Sequence, residues 1–345
     1  MPDKPKQPNR AMLMDQLNWN DVTDQNLNFL NAIGVECIRV STPPSLANGE
    51  DHTDEFIRIR RFVEEHGIEL IALHGGPPKD QIVYGREGRD AQVNTWINAV
   101  RAIGAAGVPM TGLTFQPIGH FRTRSTPGRG GAMLSTFDYE DYKTRPRQFA
   151  RADADEPQDF AGRDLSETKL WESAEYFFKR VIPAAEEAGV RVALHPDDPP
   201  IPEPLGGAAR IVTSLENYDR IYNIAPSSSN AMLFCQGCFA EMGEDIYEAI
   251  AYASSAGRIC YVHFRDILGT PYNFQEVFID EGEHDMRQAM ETYRDNGFAG
   301  PFMMDHTPRM PEGFDNWHGH AYANGYIKAL IQTVYGRHEK APVTA

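Results

Sequence analysis

Eight short, near-continuously apolar runs recur along this chain, and a helix-length segment follows each of them. The runs are AMLMDQL (11–17), ECIRVS (36–41), IELIALHG (68–75), MTGLTFQP (110–117), VRVALHP (190–196), NAMLFC (230–235), RICYVHF (258–264) and PFMMDH (301–306), each bounded by Gly, Pro or Asn. Continuous apolarity marks a strand covered on both faces, as in a parallel sheet sheathed by helices. Apolar residues at helical spacing fill 21–33, 54–66, 90–106, 166–188, 245–256, 285–296 and 320–335, with a less regular pattern over 208–222. Glu-Ala-Gly-Val at 187–190 and Ala-Ala-Gly-Val at 105–108 read as helix stops, the glycine supplying the left-handed cap. Eight strand–helix units predict a (β/α)8 TIM barrel, with residues 1–345 forming a single domain. An open doubly wound sheet is the competitor. Its dinucleotide-binding form is weakened because no Gly-x-Gly-x-x-Gly turn follows the first strand.

One connection breaks the rhythm. Residues 118–165, after the fourth strand, are too long for an ordinary loop and read as an insertion or lid over the active-site face, where βα loops emerge. Its TPGRGGA stretch is Gly-rich and basic but lacks the Gly-Lys-Ser/Thr ending of a phosphate loop. A net charge of −16 argues against nucleic acid or an anionic membrane as partner. The first residues, MPDKPKQPNR, hold no apolar leader, and no run approaches a membrane span, so the expected location is cytoplasmic. Cys37, Cys235, Cys238 and Cys260 are then expected to be reduced, in core or metal roles. Self-association into a homo-oligomer is compatible with these features.

In a TIM barrel the chemistry sits at the C-terminal ends of the strands. His195 ends the fifth strand, Cys235 the sixth, His263 lies near the end of the seventh, and Asp305 near the end of the eighth. Successive strands thus each bring one donor to the same rim, where parallel neighbours lie about 5 Å apart. Imidazole, thiolate and carboxylate together suit a divalent transition metal (Mn, Fe, Co or Zn) better than calcium or magnesium. The PDDPP stretch after His195 cannot be helix, and its prolines stiffen the exit from the strand. Asp197 or Asp198 could brace a ligand or touch substrate. Each residue also has a plain reading: a lone strand-end His is commonly a hydrogen-bonded structural group, and a buried Cys such as Cys260 a small hydrophobe. Cys235-Gln-Gly-Cys238 lacks the second cysteine pair of a structural zinc site. The metal reading rests on the four acting together.

These motifs resemble the D-mannonate dehydratase family of xylose-isomerase-like TIM barrels. HPDDPP at 195–200 matches the family signature, and Arg210-Ile211-Val212, Phe234-Cys235-Gln236-Gly237, Val262-His263-Phe264-Arg265, Asp305-His306 and Ala321-Tyr322 resemble further family segments. The resemblance implies a divalent ion, typically Mn2+, on His195, Cys235, His263 and Asp305. It also implies loss of water from a sugar acid, D-mannonate giving 2-keto-3-deoxy-D-gluconate. His306 and Tyr322 are the candidate acid and base, and Arg265, Asp197 and Arg122 (with Arg124 beside it) the candidate substrate contacts. Two segments depart from the family: the first strand, usually of Trp-x-Trp-Tyr-Gly type, reads MLMDQLNWND, and Asp-His-Gly-His reads Asp305-His306-Thr307-Pro308. Both fall where substrate would be touched. The alternatives are a metal-dependent sugar isomerase or epimerase, a dehydratase of another sugar acid on the same barrel, or a non-catalytic sugar-binding barrel.

Overall fold

The apolar runs form strands β1 (Met12–Leu17), β2 (Cys37–Ser41), β3 (Glu69–His74), β4 (Met110–Thr114), β5 (Arg191–His195), β6 (Asn230–Cys235), β7 (Ile259–His263) and β8 (Pro301–Met303) in the computed structural model. The structure describes residues 4–120, 122–144, 148–150, 157–159 and 163–337. The eight strands close into a parallel barrel in the order β1-β8-β7-β6-β5-β4-β3-β2, with β2 paired back to β1. Every residue of β6 and β7 is buried, as strands packed between a filled interior and a helical shell must be. The expected TIM barrel is the observed fold.

The outer shell is built from α1 (Asp24–Ala32), α2 (Thr53–Glu65), α3 (Arg89–Ala105), α4 (Glu167–Ala188), α5 (Leu215–Ile224), α6 (Ile246–Ser255), α7 (Met286–Asp295) and α8 (Asn316–Val334). Helix starts carry the side-chain caps that orphan N–H groups need: Ser166 accepts from Lys169 N, and Asp245 from Tyr247 N and Glu248 N. Gly189 ends α4 at φ 71°, the left-handed cap read from the sequence. Helix α5 begins later than the 208–222 pattern suggests. Residues 208–214 are not helical, because the backbone N–H groups of Ile211 and Val212 are engaged by the Asp197 side chain. Among the described residues no helix is long and apolar enough to cross a membrane.

The connection after β4 holds structure its sequence did not announce. Arg124–Pro127 and Met133–Asp138 pair antiparallel, and Met133–Asp138 pairs with Asn273–Glu276, which pairs with Ile267–Thr270. A four-stranded sheet therefore ties the loop after β4 to the loop after β7, and a bridge from Met133 to Arg309 adds the loop after β8. Residues 121, 145–147, 151–156 and 160–162 of the expected insertion lie outside the described residues.

Strand β1 shows how the barrel sorts its side chains. Asp15 faces the shell, where Asn324 of α8 donates to its Oδ2 at 2.6 Å. Gln16, pointing the opposite way, faces the interior, and its side-chain amide donates to the Asp305 carbonyl. Asp305 is the single non-glycine residue at positive φ (67°) among the described residues. It lies two residues beyond β8, so a left-handed backbone, not the strand itself, aims its carboxylate.

Candidate metal centre and its charged surround

The ends of β5, β6 and β7 and the turn after β8 bring His195, Cys235, His263 and Asp305 together, with one ligand-type atom of each within 4.8 Å of all the others. Register explains part of this: Cys235 and His263 are direct partners across β6 and β7. Three of the four are buried and Asp305 is partly so. The His195 Nδ1 lies 2.7 Å from the Pro196 carbonyl, which fixes the proton on Nδ1 and leaves the Nε2 lone pair available. His263 comes within 3.2 Å of Asp305 Oδ1, yet neither of its buried ring nitrogens makes an aligned hydrogen bond. A buried imidazole with both nitrogens unsatisfied is costly unless something else binds them. Burial pushes the Cys235 thiol up, but Cys238, Arg265, His195 and His263 together hold it well below the ordinary thiol value. Two imidazoles, a thiolate and a carboxylate in one shell fit a divalent transition ion. The described cysteines are all reduced and buried.

Around this centre lies a layer of buried charge. Arg265 places Nε 3.2 Å from Asp305 Oδ2, Nη1 2.8 Å from Glu241 Oε1 and Nη2 3.4 Å from Cys238 Sγ. Arg122 forks onto Asp198 at 2.5 and 3.0 Å and reaches Glu276 at 2.5 Å. His120 sets Nδ1 3.2 Å from Asp198, and its ring lies 5.2 Å from that of His195. The described start of the 118–165 connection thus lies against the centre. Asp197 Oδ2 accepts from Ile211 N at 2.8 Å and Val212 N at 2.9 Å, which braces the loop after β5. Arg124 sits on the exposed sheet, paired with Asp138 at 3.0 Å.

The candidate proton-transfer groups differ in setting. His306 Nε2 lies 3.2 Å from Glu276 Oε1 and 3.4 Å from Asp305 Oδ2. Burial opposes its protonation, but these two carboxylates outweigh it and raise the imidazole to about 9. Tyr322 is about half exposed (45%) and lies further out, its ring 6.2 Å from Phe278 and 5.9 Å from the Arg129 guanidinium carbon. Glu241 was not singled out in the sequence. Burial first, then the charge of Asp198, pushes it up to about 8, against the opposing pull of Arg265 and Arg122. Glu276 was also missed; its only signal was the alternation in Asn273-Phe274-Gln275-Glu276, which places it on the buried face with Phe274.

The family model for D-mannonate dehydratase (UxuA) matches residues 19–337. The chain belongs to that family. A mannonate dehydratase of Streptococcus uberis is 29% identical over 309 residues, covering 80% of this chain and 86% of that protein. The crystal structure of mannonate dehydratase from Streptococcus suis serotype 2 superposes with a TM-score of 0.79 at 25% identity, covering 97% of this chain and 99% of that one. A xylose isomerase domain protein from Planctomyces limnophilus shares the fold at a TM-score of 0.60 and 14% identity, covering 95% and 99% of the two chains. As a D-mannonate dehydratase family member the chain is a hydro-lyase, and its mouth is asymmetric. The strand ends His195, Cys235 and His263 are buried, whereas Gln16, Arg39, Ser41 and His74 on β1 to β3 are partly open. Gly112 leaves room there, since a Cβ at that position would strike the His74 ring.

Proposed function

We propose that this chain dehydrates D-mannonate to 2-keto-3-deoxy-D-gluconate with a divalent ion held by His195, Cys235, His263 and Asp305. The convergence of those four donors within 4.8 Å carries the reading. The donor set favours Mn2+, with Fe2+, Co2+ and Zn2+ as the nearest competitors. Such an ion supplies Lewis acidity beside the substrate carboxylate, where negative charge builds as the C2 proton leaves.

The chain's own residues supply the proton transfers. The C2–H and C3–O bonds break, proton and hydroxyl leave as water, and the enol so formed gives up its C2 hydroxyl proton and takes one at C3 to become the 2-keto acid. His306, kept protonated by Glu276 and Asp305, is suited to give its proton to the departing C3 hydroxyl. Tyr322 is the second proton-transfer group, standing at the outer rim. Arg265 and Arg122 act as positioning residues: the first holds Asp305, and the second holds Asp198 together with Glu276, the partner of His306. Asp197 supports the loop after β5. The described residues His120 and Arg122 of the 118–165 connection lie against this rim and would help shape the space for a small sugar acid. The cytoplasm, where thiols stay reduced, suits the Cys235 thiolate.

Purified protein loaded with Mn2+ and given D-mannonate should release a 2-keto-3-deoxy acid, measured by mass spectrometry or a colorimetric keto-acid assay. Interconversion of an aldose and a ketose with no sugar acid dehydrated would replace this reading with the isomerase alternative.

A further inference from the structure

Arg39, in the middle of β2, is a partly buried basic group of this mouth. Its register partner on β1 is Gln16, which faces the interior, so Arg39 faces the interior too. Its guanidinium donates to the Gln16 side-chain oxygen through Nη2, while the buried Nε has no hydrogen-bond partner. Among the described residues no carboxylate pairs with it. Two other inward arginines each face more than one carboxylate: Arg122 faces Asp198 and Glu276, and Arg265 faces Asp305 and Glu276. An arginine cannot shed its charge, so a partly desolvated guanidinium with a buried, unpartnered Nε and no counter-charge is suited to receive an anion.

Its surroundings say where that anion would lie. Arg39 is close enough to His74 and Tyr261 for its charge to act on both, and His74 also feels His195, His263 and Asp305. Gln16 bridges the two sides directly, accepting from Arg39 and donating to the Asp305 carbonyl. Arg39 thus stands one side chain away from the candidate metal centre, on the partly open half of the mouth.

We propose that Arg39 is a specificity-determining residue that binds the carboxylate of the sugar acid, so that this chain takes aldonates and refuses the corresponding neutral sugars and polyols. The inference rests on the sugar-acid reading above and adds the group that recognises the acid. A guanidinium offers two parallel N–H donors to a carboxylate, a fit that no neutral end group reproduces.

The test compares wild type with Arg39→Met and Arg39→Lys in two assays. By calorimetry on the Mn2+-loaded protein, wild type should bind D-gluconate more tightly than D-glucitol, which carries a hydroxymethyl group in place of the carboxylate. Arg39→Met should weaken gluconate by about 10-fold to 100-fold, and Arg39→Lys by less, with glucitol unchanged. In turnover, Arg39→Met should raise KM for D-mannonate by a similar factor, with kcat within about 3-fold of wild type and metal content unaltered. If Arg39→Met does not fold, Arg39→Gln, which keeps a hydrogen bond toward Gln16, takes its place. Unchanged gluconate affinity in the folded neutral variant, or equal loss of gluconate and glucitol, overturns the assignment. Absence of any D-mannonate turnover in wild type would instead overturn the dehydratase reading, and the calorimetric comparison would still decide Arg39.

Discussion

Replacing Arg122 by methionine removes the cation that two buried carboxylates share. Asp198 loses hydrogen bonds of 2.5 and 3.0 Å and Glu276 one of 2.5 Å, and all three side chains are at most 6% exposed. What remains is weaker: Asp198 keeps His120 at 3.2 Å and Arg265 at 3.7 Å, and Glu276 keeps His306 at 3.2 Å and Arg265 at 3.5 Å. Leaving a buried charge without its partner typically costs about 3–5 kcal/mol. An unfolding entropy of about 2.1 cal/mol/K per residue gives about 0.7 kcal/mol/K for this length, so Tm should fall by about 4–7 °C. The pH dependence identifies the cause. Burial opposes it, but Arg122 leads the groups that hold Glu276 down to about 2 from its ordinary 4.5. A carboxylate with a depressed pKa contributes stability above its unfolded value and loses it as pH falls through its folded value. The gap between wild type and Arg122→Met should therefore be full near neutral pH and narrow as pH falls below about 4.5 toward about 2. Calorimetric scans at about pH 7 and about pH 3.5 measure it, with Arg122→Lys as a variant that keeps the charge but not the fork. A Tm loss below about 1 °C, or one that does not change with pH, would refute the argument that carboxylate neutralisation is what Arg122 provides.

Three further outcomes are expected. His195→Ala and Cys235→Ala should lose most bound metal by elemental analysis, whereas Cys238→Ala, whose sulfur accepts from Arg265 at 3.4 Å, should retain it; full metal in the first two would end the ligand assignment. His306→Ala and Tyr322→Phe should each lower kcat by about 10²–10⁴-fold with metal content intact, and a variant within a few-fold of wild type would lose its proton-transfer role. Asp197→Ala should destabilise the loop after β5 by about 1–3 kcal/mol for each stranded N–H group, seen as faster amide exchange at Ile211 and Val212.

The sequence by itself determined the barrel. Each strand is a local run of apolar residues, each helix a local period, and each boundary a glycine, a proline or a capping side chain, so all are written within a dozen neighbours. Once the barrel is known, strand ends such as His195, Cys235 and His263 are known to share a rim, because parallel register leaves them little choice. The partners of charged residues were not legible in this way. The sheet joining Arg124–Pro127 and Met133–Asp138 to Ile267–Thr270 and Asn273–Glu276 pairs segments more than a hundred residues apart, and neither half has an apolar pattern strong enough to announce itself. Arg122 reads as a loop charge until that sheet carries it under Glu276 and against Asp198. Arg265 reads as a free clamp until β7 sets it between Asp305 and Glu241. Arg39 reads as one polar residue in an apolar strand, and only closure of the barrel leaves it facing the mouth with no carboxylate beside it among the described residues. Apolar burial is non-directional and written locally, whereas a buried charge is defined by which opposite charge reaches it, and that depends on where distant loops come to rest.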